Sequence, residues 1–417
     1  MKFSAYKIAP ELKQQLQAMG FRRPTDIQYK AIPPIMKGED VLAIAQTGTG
    51  KTAAFAIPVL DRLHREGVRG GAGQIPCLVM VPTHELARQV AGVFAELGKR
   101  TQVRVLALHG GTDQAPQIQQ LQQGVEVLVA TPGRLFDLQS QGHLHLEAVQ
   151  VLILDEADHM LDLGFIKDIR QLVRRLPRER QTLFFSATID EGIKKLAYSL
   201  VRKAIRIQIS PKDPVSKNID HAVVQVPADE KRFFLERLVR EHPEDKMLVF
   251  VRTRVRAERV AKALARAGLE AETIHGAKGQ ADRQDIMARF GNGALKVLIA
   301  TDVSARGIDI PGVRYVINYD LPEQAEQYVH RVGRTGRGQA RGQAIAFCAE
   351  NEAETLADIE AYLGRPITRL EVDQTEKADT LAMTQDIDGD WRRLMKDIQA
   401  EETSFVKKKK KRKGRKS

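Results

Sequence analysis

Short apolar runs of strand length recur along the first half of the chain, and polar residues rarely interrupt them. They cover residues 41–45, 77–81, 103–108, 125–130, 151–154 and 182–185. A strand that is apolar on both faces must be covered on both faces, as in a parallel sheet with helical crossovers. The pattern therefore predicts an α/β fold. A helix is expected before it at residues 10–19, where Leu12, Leu16 and Met19 share one face.

The same pattern starts again after a polar segment at residues 210–218, which is rich in proline, lysine and serine and is interpreted as a linker. Further strands are predicted at residues 247–251, 297–300, 314–318 and 344–348, with helices at 254–267 and 280–290. This repetition on both sides of a linker predicts two α/β lobes in tandem.

Composition narrows the class of protein. Hydrophobic residues make up 43% and charged residues 28% of the 417-residue chain, which is ordinary for a globular protein. No apolar run reaches the roughly 20 residues that a membrane-spanning helix needs, and the first ten residues lack a signal-peptide core. We therefore expect a cytoplasmic protein without a membrane partner.

Cys77 and Cys348 lie in separate apolar runs and are expected to be buried thiols.

Most of the net positive charge of the chain comes from its C-terminal end. The formal net charge is +12, and the last eleven residues contribute nine positive charges and no acid, which leaves +3 for the rest. This end is predicted to be a disordered basic tail, preceded by a short docking helix at Trp391, Leu394, Met395 and Ile398. The tail either binds nucleic acid nonspecifically, which we favour, or has no measurable effect.

A glycine-rich loop follows the first strand and has the sequence Ala45-Gln-Thr-Gly-Thr-Gly-Lys-Thr52. It matches the phosphate-loop pattern G-x-x-x-x-G-K-[ST] except that Ala45 replaces the first glycine. Gly48 and Gly50 let the backbone amides turn toward an anion, Lys51 can reach the β- and γ-phosphates, and the Thr52 hydroxyl can bind Mg²⁺. The alternative is a glycine-rich turn with a chance lysine.

An acidic motif, Asp155-Glu-Ala-Asp158, follows the strand at residues 151–154. Asp155 can hold the magnesium shell, most simply through water, and Glu156 can activate a water molecule for attack on the γ-phosphate. The alternative is a solvated acidic turn. Ligands of open α/β sheets bind at the carboxyl ends of strands, where both motifs fall, so a nucleoside triphosphate site is predicted.

The one-letter code of this motif, DEAD, gives the DEAD-box RNA helicases their name. The chain resembles that family from Phe3 to about Glu371. Within the family it is similar to the smaller bacterial members of the RhlE type. The resemblance implies two RecA-like domains that close around ATP, Mg²⁺ and RNA. The predicted segments are residues 1–30 (adenine motif), 31–209 (ATP-binding domain), 210–218 (linker), 219–373 (C-terminal helicase domain) and 374–417 (extension and tail).

The resemblance also assigns nucleotide contacts. Residues 20–28 resemble the family's adenine-reading motif, with Phe3 as its upstream aromatic residue; Gln28 would bind the adenine edge and Phe21 would pack on its face. From the residues alone, Phe21 would be a core residue and Gln28 a surface residue. Asp309 would bind the ribose. The phosphates would lie among Gln46, Thr47, Gly48, Thr49, Gly50, Lys51 and Thr52.

A motif rich in glycine and arginine, residues 330–338, resembles the last motif of the family. By that resemblance Arg334 and Arg337 are arginine fingers for the γ-phosphate. The residues expected to couple the two domains are Asp158, Ser186, Thr188, His330 and Arg331. The alternatives are a basic surface turn or a general RNA patch for residues 330–338, and local backbone bonding for Ser186 and Thr188.

Several small motifs are expected to hold RNA through phosphate and sugar, without reading bases. The residues are Pro82, Thr83, His84, Gly110, Gly111, Thr131, Gly133 and Arg134 in the first lobe and Arg252, Gly276, Gln280, Arg283 and Thr301 in the second. The family usually has arginine where this chain has His84, and a histidine there predicts RNA affinity that depends on pH.

The expected activity is an ATP-dependent RNA helicase that bends one strand of a short duplex and releases RNA on hydrolysis. Ribosomal precursors and RNA-decay proteins are candidate partners. One rival is an RNA clamp that uses ATP only to lock onto RNA, and a more distant rival is a DNA translocase. The intact set of Lys51, Asp155, Glu156, Arg334 and Arg337 argues against the clamp, since a clamp does not need rapid hydrolysis.

Overall fold

The computed structural model describes residues 2–46, 48–189, 191–209, 215, 218–302, 310, 312–336 and 341–370. Most of the predicted linker and the whole predicted tail, with its docking helix, lie outside these residues. So do Thr47, Asp309, Arg337 and the side chain of Gln280. The described chain forms two compact units, unit 1 before residue 215 and unit 2 from residue 215 onward. The finer division into five segments stays a prediction.

Unit 1 is a sheet of seven strands covered by helices. Its strands are β1 (Val41–Ile44), β2 (Cys77–Met80), β3 (Val105–Leu108), β4 (Val127–Ala130), β5 (Val151–Leu154), β6 (Gln181–Ser186) and β7 (Ile205–Gln208). Its helices are α1 (Pro10–Ala18), α2 (Asp26–Met36), α3 (Lys51–Arg65), α4 (His84–Leu97), α5 (Ala115–Gln122), α6 (Pro132–Ser140), α7 (Ala157–Asp162), α8 (Ile166–Arg175) and α9 (Glu191–Leu200). The strand order is β3-β4-β2-β5-β6-β1-β7, and neighbouring strands are parallel.

Unit 2 repeats this architecture. Its strands are β8 (Ile219–Gln225), β9 (Lys246–Phe250), β10 (Glu272–Ile274), β11 (Val297–Ala300), β12 (Val313–Asn318), β13 (Gly342–Cys348) and β14 (Thr368–Leu370). Its helices are α10 (Lys231–Glu241), α11 (Arg254–Arg266), α12 (Gln280–Asn292), α13 (Ala325–Val332) and α14 (Ala353–Leu363). The order is β10-β11-β9-β12-β13-β8-β14, again with parallel neighbours.

Both faces of the unit 1 sheet are buried, which explains the uninterrupted apolar runs. Successive side chains of a strand point to opposite faces. Val41 and Ala43 of β1 pack into one core with α3 and α4, whereas Leu42 and Ile44 pack into the core on the other face. The α/β prediction of two parallel sheets is therefore confirmed, as is the burial of both cysteine thiols, which are free.

The strands that the sequence pattern did not predict are β7, β8, β10 and β14. Three of the four residues of β7 are exposed, and all three residues of β14 are exposed, because both strands lie at sheet edges. An edge strand is covered on fewer sides and does not need a continuous apolar run. None of the described helices is long and apolar enough to cross a bilayer.

An ion pair between the buried Glu126 and the half-exposed Arg104 marks the starts of β3 and β4, each of which begins two residues later than predicted. The Glu126 side chain is fully buried, and its Oε1 lies 2.7 Å from Nη2 of Arg104. Glu126 also accepts hydrogen bonds from the backbone N–H of Arg104 (2.6 Å) and of Gly70 (3.1 Å). Burial by itself raises the pKa of Glu126. The hydrogen bonds from Arg104 and Gly70 together lower this pKa by more than burial raises it, so the net shift is downward.

This lowered pKa gives a pH-dependent prediction. A carboxylate with a lowered folded-state pKa stabilises the fold above its unfolded pKa, and that contribution is lost as the pH falls through its folded pKa. We expect Glu126→Gln to lower the free energy of unfolding by about 1–3 kcal/mol at pH 7, since it leaves buried donors poorly matched. The deficit relative to the parent should shrink below about pH 4. Urea denaturation of the full chain, followed by circular dichroism, measures both.

The matched control is Glu179→Gln, because the Glu179 side chain is 96% exposed and forms only a surface ion pair with Arg202. That variant should change stability by less than about 1 kcal/mol at either pH. A deficit for Glu126→Gln that stays the same at every pH would show that the charge of Glu126 does not stabilise unit 1.

Candidate nucleotide site and nucleic-acid surfaces

The loop between β1 and α3 has a backbone that only glycine adopts easily. Gly48 has φ 80° and Gly50 has φ 91°, both in the left-handed region. A Cβ atom on Gly50 would lie 2.5 Å from Nε2 of Gln28, so the space is also closed to a larger residue. The loop ends where α3 begins, at Lys51, and the first amides of a 15-residue helix are suited to binding an anion.

The side chain of Lys51 places a buried positive charge in this site. It is 6% exposed, and its Nζ atom has no hydrogen-bond partner among the described residues. A buried ammonium without a partner is costly, and the cost is relieved when an anion binds beside it. Because α3 starts at the same residue, Lys51 and the helix N-terminus together fit a phosphate group.

The adenine motif is connected to this loop through one side chain. Gln28 is 3% exposed; its Oε1 accepts a hydrogen bond from the Thr25 backbone N–H (2.9 Å), and its Nε2 donates to the carbonyl oxygen of Gly50 (3.2 Å). Gln28 therefore caps α2 and braces the phosphate loop. Phe21 is partly buried and packs edge-on against Phe3, with ring centroids 5.7 Å apart. Adenine binding by these residues stays a prediction.

The acidic motif directly follows β5. Asp155 is buried, and its Oδ1 accepts a hydrogen bond from the Glu156 N–H (3.0 Å). Burial raises the pKa of Asp155 to about 6, although the charge of Lys51 acts in the opposite direction. Glu156 has φ 51° and ψ 49°, a left-handed conformation that is rare for a side chain of this size. Such backbone strain is typical of functional positions and fixes where the carboxylate points.

Asp158 joins the acidic motif to the end of β6. Its Oδ2 accepts hydrogen bonds from the backbone N–H groups of Ala187 (3.0 Å) and Thr188 (3.1 Å) and from Oγ1 of Thr188 (3.4 Å). Oγ of Ser186 is buried without a hydrogen-bond partner in the described part of the chain. These contacts lie within unit 1, so a role in coupling the two domains stays a prediction.

These residues fit a magnesium nucleotide. The phosphate loop follows β1, Ser186 ends β6 and Asp155 follows β5, and these three strands are neighbours in the sheet. The buried ammonium of Lys51 and the free amides of α3 suit phosphate oxygens, while Asp155 and the Thr52 hydroxyl supply the oxygen ligands that Mg²⁺ prefers. Gln46 and Thr49 complete the loop through a hydrogen bond from Thr49 Oγ1 to the Gln46 carbonyl (2.7 Å).

In unit 1 the predicted RNA residues belong to three motifs, residues 82–84, 110–111 and 131–134, and the fold brings these motifs together. Arg134 donates to Oε1 of Gln117 (3.1 Å) and to the carbonyl of Thr112 (2.9 Å), and Gln117 Nε2 donates to the carbonyl of His109 (3.2 Å). The His84 ring stacks on that of His109 with a centroid distance of 5.3 Å. The remaining predicted residues lie at the starts of α4 and α6 and after β3: Pro82, Thr83, Gly110, Gly111, Thr131 and Gly133.

In unit 2 the predicted RNA-binding Arg252 is held by two acids. Its backbone N–H donates to Oδ2 of Asp320 (2.9 Å), and its Nη2 lies 3.4 Å from Oε1 of Glu352. The other carboxylate oxygen of Glu352 pairs with Lys231, which is only 1% exposed and also donates to the carbonyl of Tyr319 (2.9 Å). The guanidinium of Arg252 remains partly exposed, with its side chain at 39%.

The other predicted RNA residues of unit 2 follow strands β10 and β11 or begin helix α12. Gly276 follows His275, whose Nε2 lies 2.8 Å from Glu258 Oε1, and Thr301 directly follows β11. Gln280 and Arg283 belong to the first turn of α12. Their contacts with RNA stay predictions.

The arginine-rich motif begins on α13, and the side chain of its first arginine, Arg331, is buried and hydrogen-bonded within unit 2. Arg331 is 2% exposed; its Nε and Nη2 contact the two carboxylate oxygens of Asp302 (2.6 and 2.7 Å), and its Nη1 donates to Asn318 and to the carbonyl of Asp320. Arg334 is also buried, and its Nε donates to the His330 carbonyl (3.2 Å). The finger and coupling roles predicted for this motif stay predictions.

Sequence reasoning missed the residues that hold the motifs in place: Thr25, Thr112, Gln117, Lys231, Asp302, Asp320 and Glu352. Only one had a readable signal, since Thr25 and Gln28 have the spacing of a capping box. Glu352 and Lys231 are 121 residues apart, and neither belongs to a short motif.

Comparison with known proteins agrees with this organisation. The family profile described as "DEAD/DEAH box helicase" matches residues 25–196, and the profile "Helicase conserved C-terminal domain" matches residues 230–339. Among solved structures, S. cerevisiae Dbp5 bound to RNA and ADP BeF3 superposes with a TM-score of 0.81 at 31% identity, covering 91% of this chain and 98% of that one. The two units therefore have the RecA-like fold of these helicases.

Two bacterial relatives extend the match over most of the chain. The DEAD-box ATP-dependent RNA helicase CshA of Geobacillus kaustophilus is 38% identical over 409 residues, which is 97% of this chain and 85% of the relative. The ATP-dependent RNA helicase RhlB of Xanthomonas oryzae pv. oryzae is 41% identical over 370 residues, which is 88% of this chain and 64% of the relative. The RhlE type stays a prediction. At this identity over nearly its whole length, the chain belongs to the DEAD-box family of RNA helicases.

Proposed function

We propose that the protein is an RNA-stimulated ATPase that locally unwinds short RNA duplexes and remodels RNA or RNA–protein complexes. The observation that carries this proposal is the buried ammonium of Lys51 at the start of α3, which has no hydrogen-bond partner among the described residues. Lys51 follows β1 through the phosphate loop, and the buried Asp155 and the strained Glu156 directly follow β5 of the same sheet. A receptor for phosphate and a rigidly placed carboxylate are the two elements that hydrolysis of a triphosphate requires.

Each residue then has a definite part in hydrolysis. The backbone of Gly48 and Gly50 and the ammonium of Lys51 hold the phosphates. Thr52, and Asp155 through water, would hold Mg²⁺, which would supply positive charge that offsets the charge of the phosphates. Glu156 accepts a proton from the attacking water. Other proposed nucleotide contacts are Gln28 and Phe21 at the adenine, Asp309 at the ribose, Gln46, Thr47 and Thr49 in the loop, and Arg334 and Arg337 as fingers.

The nucleic-acid surfaces support RNA binding through the backbone. The structure offers hydroxyls, loop amides and arginines held by neighbouring side chains, which is the chemistry of contact with phosphate and sugar. Dbp5, whose fold this chain shares, is described as bound to RNA. We propose RNA over DNA on this likeness, a cytoplasmic location, and ribosomal precursors or RNA-decay proteins as the partners to test first.

The first test of this function is Glu156→Gln, which keeps the shape of the side chain but removes its capacity to accept a proton. We expect RNA-stimulated turnover of ATP to fall about 10²- to 10⁴-fold, while binding of ATP and RNA is retained. Multiple-turnover ATPase assays with and without RNA measure the effect, and the exposed Glu147→Gln serves as the control. Brisk turnover in Glu156→Gln would remove this residue from the mechanism. A parent protein with little multiple-turnover hydrolysis would favour the RNA clamp.

The second test concerns Glu352 as a positioning residue for Arg252. We expect Arg252→Ala and Glu352→Gln each to raise the RNA concentration for half-maximal ATPase several-fold, by about 1 kcal/mol, with turnover at saturating RNA unchanged. The double variant should be no weaker than Arg252→Ala alone, because Glu352 acts on RNA only through Arg252. Additive losses would contradict this role. The control is Glu350→Gln, an exposed neighbour in the same 3₁₀ turn.

A further inference from the structure

Helix α8 carries an exposed row of cations that the helicase motifs do not include. Lys167, Arg170 and Arg174 are three and four residues apart, so they lie along one face of the helix. All three are exposed, and none forms a hydrogen bond or an ion pair with another residue in the described parts of the chain. We call these three residues the α8 row.

Little negative charge offsets the α8 row. The helix contains a single acid, Asp168, which is only partly exposed. Of the other acids, Glu179 pairs with Arg202 (3.2 Å), and Asp137 of α6 pairs with Arg134 (3.7 Å). Three unpaired cations on one face produce a positive potential that attracts a polyanion.

The position of α8 indicates which polyanion. Arg175 of the same helix packs against α6: its Nη1 donates to Oε1 of Gln139, and its guanidinium carbon lies 5.9 Å from the centroid of the Phe136 ring. Helix α6 begins at Pro132, within the proposed RNA motif that contains Thr131 and Arg134. The α8 row therefore lies on the helix that packs beside the one presenting this motif.

The length of the row suits a nucleic-acid backbone. The seven helical steps from Lys167 to Arg174 span about 10 Å at ~1.5 Å per residue. One strand of a duplex carries one phosphate per roughly 3.4 Å of axis, so about three phosphates of such a strand fall within this length. The ends of lysine and arginine side chains add reach on either side.

We propose that Lys167, Arg170 and Arg174 form a second contact site for RNA backbone phosphates, which engages RNA that extends beyond the motif on α6. The inference rests on the proposed function, because it takes the α6 motif to be an RNA contact. Its ligand is the sugar–phosphate backbone of the same RNA. An acidic protein is the rival partner for such a row, and the experiment below separates the two.

The experiment compares RNA of two lengths in the full-length chain. The variant is Lys167→Gln/Arg170→Gln/Arg174→Gln, and the control removes three exposed cations elsewhere in unit 1, Lys2→Gln/Lys7→Gln/Lys37→Gln. The probes are oligouridylates of about 6 and about 20 nucleotides, within and beyond the site size of a single binding fold. Affinity is measured by fluorescence anisotropy over a range of salt concentrations, with a nonhydrolysable ATP analogue present.

We expect the α8 variant to bind the long RNA about tenfold more weakly, and the slope of log affinity against log salt to fall by about 2, at ~0.7 per lost phosphate contact. Its affinity for the short RNA and its circular dichroism should match the parent. Unchanged affinity for the long RNA would overturn the proposal and leave an acidic protein as the partner. Equal losses on both RNAs, or an equal loss in the control variant, would also overturn it.

The same data separate this proposal from the proposed function. If the parent binds neither oligonucleotide, the RNA-dependent function itself is wrong and the α8 proposal is wrong with it. If the parent binds both RNAs and the α8 variant binds each of them as tightly as the parent does, the proposed function stands. The α8 row then has no role in RNA binding.

Discussion

A buried ammonium without a hydrogen-bond partner among the described residues is the constraint around which unit 1 is organised. The ammonium of Lys51 is removed from water at the start of α3, and no described residue accepts a hydrogen bond from it. A charge in that position costs stability unless an anion accompanies it. The surrounding residues hold the backbone open for that anion: Gly50 turns in the left-handed region, and Gln28 fixes the carbonyl of the same glycine.

In unit 2, by contrast, several buried charged side chains near the predicted motifs are paired with charges of opposite sign. Lys231 pairs with Glu352, Arg331 makes a bidentate contact with Asp302, and Asp320 binds both the backbone of Arg252 and, at 3.2 Å, Nε of Arg256. Networks of paired charges of this kind rigidify the groups that belong to them. The difference follows from what each unit is proposed to do. Unit 1 keeps a charge available for a ligand, whereas unit 2 uses charges to fix the loops that present its arginines.

Much of the fold was predictable because buried parallel strands need apolar residues on both faces, and β1 to β6, β9 and β11 to β13 all showed this pattern in sequence. The strands β7 and β14 are at sheet edges and lack the signal. The phosphate loop and the acidic motif were also predictable, since each is a short run of neighbouring residues. The bracing of the loop by Gln28, the Arg104–Glu126 pair and the Lys231–Glu352 pair join positions far apart in sequence, and no local pattern encodes them.

The most direct test of the central claim is titration of ATP into the parent and Lys51→Met, combined with the thermal unfolding midpoint of each protein in the absence of nucleotide. If Lys51 is held unpaired for a phosphate, Lys51→Met should lose about a hundredfold in ATP affinity, or ~3 kcal/mol. Its unfolding midpoint should equal or exceed that of the parent, because the variant no longer buries an ammonium that lacks a hydrogen-bond partner. Undiminished ATP affinity, or a clearly lower midpoint, would show instead that Lys51 is a structural cation and would contradict the account.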